Sequence, residues 1–75
     1  MITPLEKAKQ IYTDCFRRYA LELSHDKNVL IAKSISLYVC SEVLGYMGAD
    51  RGYEFWTEVK QLLETLTHKE LYESK

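Results

Sequence analysis

The sequence predicts an all-α domain of three helices, with an apolar central helix buried between two amphipathic ones. Three observations predict this fold. Residues 28–48 are almost entirely apolar. The segments on either side have apolar residues at steps of three and four, which is typical of helices with one buried face. Only short polar stretches separate the segments, so the first two helices should form an antiparallel hairpin.

The first helix begins with a capping box. Thr3 and Glu6 have the spacing at which each side chain accepts a hydrogen bond from the other's backbone, and Pro4 suits the first turn. An apolar stripe then continues to Leu23, which predicts a helix over residues 4–23. The stripe comprises Leu5, Ala8, Tyr12, Cys15, Tyr19 and Leu23.

The second helix is predicted over residues 28–47. Ser24, Asp26 and Asn28 are alternative N-caps, and Gly48 is the expected stop. Because this helix is apolar on nearly every side, we expect it to be buried on every side. Two flanking helices are too few to cover it in a chain of 75 residues. We therefore expect a homo-oligomer, a dimer or higher, and not a stable monomer.

The third helix is predicted over residues 51–67 or longer, with Asp50 as its cap. Its apolar stripe consists of Phe55, Trp56, Val59, Leu62, Leu63 and Leu66. All 75 residues are expected to form one domain.

Composition narrows the function classes. Ten basic and eleven acidic residues give a net charge of −1, which disfavours a DNA-binding regulator. Cys15 and Cys40 lie in apolar stretches and should be buried and reduced. Lys33 and Glu42 interrupt the longest apolar stretch, and the N-terminus lacks a signal-peptide core. These features predict a cytoplasmic protein outside the membrane.

Catalytic motifs and metal-ligand spacings are missing from the sequence. His25 falls in a predicted loop and His68 at a helix end, so we expect both to be solvated. The sequence therefore predicts neither an enzyme nor a cofactor or metal site.

Helix two contains the first group of candidate binding residues. Glu42 is predicted on one face together with Tyr38, Ile35 and Tyr46. A carboxylate there either pairs with Arg17, Arg18, Lys33 or a tyrosine hydroxyl, or lines a pocket or a subunit interface. The opposite face is predicted to contain Ser34 and Ser41, which allow a close approach of another helix.

A second group of candidates lies at the start of helix three. Arg51, Tyr53 and Trp56 cluster where backbone N–H groups favour an anion, so they could hold a nucleotide or phosphate. Alternatively, these side chains form a hydrophobic cap that closes the end of the bundle.

Three segments, EKAKQIY, CSEVL and GYEFWTEVKQLLE, together resemble small uncharacterised proteins of bacteriophages and prophages. In that group a lysine-rich first helix precedes a helix with one or two acids, and a tryptophan-containing EVKQ helix closes the chain. Ser41 stands where a second acid is expected before Glu42. The resemblance covers most of the chain and implies a small accessory protein that binds and blocks a host component.

The sequence therefore favours a non-enzymatic helical interaction protein, with countering a host defence as one form of that role. The alternative hypothesis is an oligomer that traps a nucleotide-like signalling molecule between subunits.

Overall fold

The computed structural model describes residues 2–47 and 52–72, and these form four helices without any strand. The helices are α1 (Pro4–Tyr19), α2 (His25–Met47), α3 (Gly52–Thr65) and α4 (His68–Leu71). The first three pack against one another, and α4 packs on α1. The predicted all-α class is confirmed, with one additional short helix.

The first helix begins as predicted and ends earlier. The Thr3 hydroxyl accepts from the Glu6 backbone N–H at 3.1 Å, and the Glu6 carboxylate accepts from the Thr3 N–H at 3.0 Å. The bond from the Thr3 N–H and a further one from the Thr3 hydroxyl to the same carboxylate lower the pKa of Glu6 below its usual value. The predicted end at residue 23 is wrong, because the helix stops at Tyr19. Leu23 is fully exposed, so no packing continues the apolar stripe.

The second helix begins three residues before the predicted position. Ser24 lies before its first turn, and its hydroxyl accepts from the Lys27 N–H at 3.5 Å. Asn28, one of the three alternative caps, instead lies inside the helix. Its side-chain amide bonds both the N–H and the carbonyl of Glu22, at 2.9 and 3.0 Å. This two-point bond attaches the connection between α1 and α2 to the start of α2. The predicted stop at Gly48 lies outside the described residues.

The third helix ends at Thr65, and the chain then starts a separate short helix. The Glu70 carboxylate accepts from the Thr67 N–H at 2.9 Å, which repeats the capping geometry of α1. Leu71 is completely buried and thereby attaches α4 to the core. The Lys33 ammonium of α2 donates to the Leu66 carbonyl at the end of α3. The predicted cap, Asp50, lies outside the described residues.

One apolar cluster connects all four helices. Its buried members are Ala8, Tyr12, Cys15, Ala32, Cys40, Val59, Leu63 and Leu71. The contribution of α2 consists of small side chains, Ala32 and Cys40, with the buried Ser36 between them. The Ser36 hydroxyl donates to the Ala32 carbonyl within the helix at 2.7 Å, so burying it leaves no unpaired donor.

Within one chain, α2 is buried on one side only. Only 17% of its most apolar 18-residue window is buried. Small residues at Ala32, Ser36 and Cys40 let the other helices approach this side closely. Two helices cannot enclose a third, so the larger apolar side chains on the far side of α2 remain uncovered.

Candidate functional site

The uncovered side of α2 forms a continuous surface, which we call the outward face. It consists of Lys27, Leu30, Ser34, Tyr38, Ser41, Glu42, Gly45 and Tyr46, all of them exposed. Leu30 exposes 66% of its surface, Tyr38 65% and Tyr46 89%. A Cβ placed on Gly45 would meet nothing within 4 Å, so this part of the face is open. The described helices leave this face without cover.

The four candidates predicted on helix two all lie on this one face. Ser34 and Ser41 were predicted opposite Tyr38 and Glu42, and that separation is wrong. At about 100° per residue, the two pairs occupy adjacent sectors of the helix. All four side chains are exposed. The structure therefore joins two predicted faces into a single broad one.

Glu42 has a partner on the outward face itself. The Tyr38 hydroxyl donates to its carboxylate at 2.7 Å, one helical turn away. This bond and the negative charge of Glu42 raise the pKa of Tyr38 above its usual value. Of the partners predicted for Glu42, the structure has the tyrosine hydroxyl. Lys33 binds the end of α3 instead.

The predicted anion site at the start of α3 lies partly outside the described residues. Arg51 lies outside them, and Tyr53 is exposed. Trp56 is half-buried against the core and lies edge-on to Phe55, with ring centroids 5.9 Å apart. The Lys7 ammonium lies 5.9 Å from the Trp56 ring centroid. This arrangement favours the alternative interpretation of a hydrophobic cap on the bundle.

Trp56→Ala should lower the free energy of unfolding by about 2 kcal/mol, below the 3–5 kcal/mol expected for a fully buried tryptophan. The reason is that Trp56 retains partial exposure while packing on the core. Urea denaturation followed by circular dichroism measures the change. Tyr53→Ala is the matched control on the same helix, and it should change stability by less than about 0.5 kcal/mol. Equal losses in the two variants would contradict the packing assigned to Trp56.

A cluster of aromatic and imidazole rings joins α1, α2 and α4. We call Tyr12, Phe16, His25, His68 and Tyr72 the aromatic cluster. The rings of His25 and His68 meet edge to face with centroids 4.8 Å apart, and Tyr72 stacks on His68 at 5.0 Å. The Tyr12 hydroxyl lies 2.7 Å from His68 Nδ1. The prediction that both histidines are solvated holds for His25, which is exposed, and is wrong for His68, which is half-buried.

Protonation of His68 is opposed by its surroundings. Burial lowers its pKa below the usual value of 6.5, and the charge of His25 lowers it further. The other titratable groups around it are the Tyr12 and Tyr72 phenols, and Arg17 lies 5.9 Å from the Tyr72 ring centroid. These groups supply no negative charge that would stabilise an imidazolium.

Stability should therefore fall as the pH decreases from 7 to 5. A histidine with a lowered folded-state pKa stabilises the fold fully above its unfolded pKa, near 6.5. That stabilisation is lost as the pH falls from 6.5 towards the folded-state value. The melting temperature, measured by circular dichroism, should follow this trend in the wild type and less so in His68→Gln. Glu6 and Glu70, whose pKa values are also lowered, titrate below about 4.5 and are separable. An unchanged pH profile in His68→Gln would contradict the assignment.

A groove lies between the start of α1 and α3. Its volume is about 780 Å³, and it is lined by Thr3, Pro4, Leu5, Glu58, Gln61, Leu62 and Thr65. The lining is mainly apolar, and its one charged side chain, Glu58, is acidic. This charge disfavours the phosphate of a nucleotide-like ligand at the groove.

Both cysteines are buried and reduced, as the sequence predicts. Burial raises the pKa of the Cys40 thiol, which keeps it protonated and poorly reactive. Within residues 2–47 and 52–72, no group of three or more histidines, cysteines and acids has a metal-binding arrangement.

Comparison with protein families, curated proteins and solved structures finds no match to this chain. The class of the protein is therefore assigned from its own helices and their packing. It is an all-α protein in which one helix turns a broad apolar face outwards. By length and composition alone, residues His25–Tyr46 could also cross a membrane, a test that core helices of globular proteins pass as well.

Proposed function

We propose that the protein is a non-enzymatic helical interaction protein that binds protein through the outward face of α2. One observation supports this proposal above all others, namely the exposure of Leu30, Tyr38 and Tyr46 on a single helix. Burying apolar surface contributes about 25 cal/mol per Å². Contiguous exposed apolar surface on a folded protein is typical of binding sites.

The composition of the face suits a specific interface. Tyrosines combine a large apolar ring with a hydroxyl, and they are enriched where proteins bind one another. Ser34 and Ser41 leave room between the large side chains for those of a binding partner. Glu42, held by the Tyr38 hydroxyl at 2.7 Å, adds a charge in a defined position. A ligand of matching charge and shape is thereby preferred over any apolar surface.

The resemblance to small phage and prophage proteins supports a role inside a host cell for this binding activity. In that setting the protein, alone or as an assembly, works in the host cytoplasm by binding and blocking a host component. Stoichiometric binding needs no catalytic group, in agreement with the non-enzymatic role that we propose.

Site-specific photo-cross-linking in the producing cell tests the proposal. A photo-reactive phenylalanine analogue at position 38 should cross-link the protein to another polypeptide in high yield, because that position lies in the centre of the face. The same analogue at position 64, exposed on α3, is the control and should give little product.

A second variant distinguishes a binding site from chance proximity. Leu30→Asp puts a charge on the same face about two helical turns from the cross-linker and should abolish the product. Its helical content by circular dichroism should be unchanged, because Leu30 is exposed. Equal yields from positions 38 and 64, or a yield insensitive to Leu30→Asp, would refute the proposal.

A further inference from the structure

The outward face has an approximate symmetry about Ser34. Along α2 its residues run from the positive Lys27 through the apolar Leu30 to the small Ser34, then through the apolar Tyr38 to the negative Glu42. At about 1.5 Å per residue, Leu30 and Tyr38 each lie about 6 Å from Ser34 along the helix axis. Lys27 and Glu42 lie about 10 and 12 Å from it. Side chains of similar kind therefore lie at similar distances on either side of Ser34, and the charges at the two ends are opposite.

We propose that the face binds a second copy of this chain, with the two α2 helices antiparallel and a two-fold axis beside Ser34. This inference rests on the proposed function, since it names the protein that occupies the same face. The two-fold operation places each Lys27 opposite Glu42 of the second copy. It also places Leu30 opposite Tyr38, and the two small Ser34 side chains meet where the helices approach most closely. A two-fold interface of this kind uses one self-complementary patch twice.

Charge selects the antiparallel arrangement. A parallel pair would place Lys27 on Lys27 and Glu42 on Glu42, so both ends of the interface would be repulsive. The antiparallel pair converts both contacts into attractions, and it also opposes the two helix dipoles favourably. The Tyr38 hydroxyl bond keeps the Glu42 carboxylate on the outward face, where it can meet Lys27 of the second copy.

A lipid surface fits the same face less well. Glu42 lies between Tyr38 and Tyr46 on the same side of the helix. Burying the two tyrosines in a bilayer would therefore also bury a carboxylate. Transfer of a charged side chain into the bilayer is costly. A second copy instead supplies that carboxylate with a cation.

Charge-swap variants test the proposal by analytical ultracentrifugation in low-salt buffer. The wild type should sediment as a dimer at micromolar concentration. Lys27→Glu and Glu42→Lys should each weaken dimerisation by about tenfold or more, because each turns two attractive contacts into repulsive ones. An equimolar mixture of the two variants should recover a heterodimer, and the double variant should recover a homodimer. Glu64→Lys, which changes an exposed charge on α3, is the control and should not alter the mass.

Several outcomes would overturn the second-copy proposal. A monomeric wild type at about 100 μM would exclude it, well above the concentration at which a specific dimer forms. Single variants that dimerise as well as the wild type would exclude antiparallel pairing, as would a double variant that stays monomeric. So would a monomer that binds phosphatidylcholine–phosphatidylglycerol vesicles through Tyr38.

The two proposals fail in different ways. A monomeric protein that still cross-links from position 38 to a different polypeptide would overturn the second copy and leave the binding face intact. A protein that neither dimerises nor cross-links from that position would overturn both. Circular dichroism of each variant should show the helical content of the wild type, because Lys27 and Glu42 are exposed.

Discussion

Leu71→Ala is expected to lower the free energy of unfolding by about 2–5 kcal/mol, the range for a buried leucine truncated to alanine. Leu71 is completely buried although it lies near the end of the chain. Because a domain of this size is stabilised by roughly 4–11 kcal/mol in total, the loss is a large fraction of its stability. Urea denaturation measures it, with the midpoint concentration and the slope fitted separately.

The matched control is Leu21→Ala. Leu21 is 80% exposed in the connection after α1, and its truncation should change stability by less than about 0.5 kcal/mol. Removal of residues 68–75 should destabilise the protein at least as much as Leu71→Ala, since it deletes the whole of α4. If Leu71→Ala and Leu21→Ala unfold at the same urea concentration, Leu71 does not pack on the core. That result would contradict the docking of α4.

Local capping signals predicted the start of α1 because a capping box needs only two residues three positions apart. Thr3, Pro4 and Glu6 carry all the information for that terminus, and the bonds form as expected. The end of α1 could not be predicted in the same way. Tyr19 and Leu23 continue the apolar period, but the two-point bond between Asn28 and the Glu22 backbone fixes the connection in a non-helical form. That bond depends on the position of the next helix.

The faces of α2 were harder to predict for a different reason. A helix that is apolar all round gives no periodic signal for which side is buried. Packing selected the side with small residues, Ala32 and Cys40, because other helices approach it most closely. The larger Leu30 and Tyr38 are consequently on the exposed side. Hydrophobicity alone would have predicted the reverse.

The candidate residues of helix two were predictable because a helix fixes neighbours at four-residue spacing. Tyr38 and Glu42 have that spacing, and they are bonded. The aromatic cluster was missed because His25 and His68 meet only through the tertiary fold. One signal was available, since Thr67 and Glu70 have the spacing of a capping box, which predicts a short helix that begins at His68.

Tyr12→Ala is expected to cost about 3–5 kcal/mol, and Tyr12→Phe about 1–2 kcal/mol. Tyr12 has the largest of the fully buried side chains, so alanine removes a whole ring from the core. Phenylalanine keeps the ring and deletes the hydroxyl, which lies 2.7 Å from His68 Nδ1. Burial raises the pKa of Tyr12 to about 12, so the hydroxyl stays protonated and can donate to a neutral imidazole.

The two substitutions therefore separate packing from hydrogen bonding. Chemical denaturation at pH 7.5 and pH 5.5 should give a smaller difference for Tyr12→Phe than for the wild type. The reason is that the lost hydroxyl bond favours neutral His68 in the folded state, and without it less stability depends on that form. Tyr19→Phe, on an exposed tyrosine of the same helix, should match the wild type at both pH values. If Tyr12→Phe is as stable as the wild type and keeps its pH dependence, the hydroxyl–imidazole bond does not stabilise the fold, and α4 is held by Leu71 and ring stacking alone.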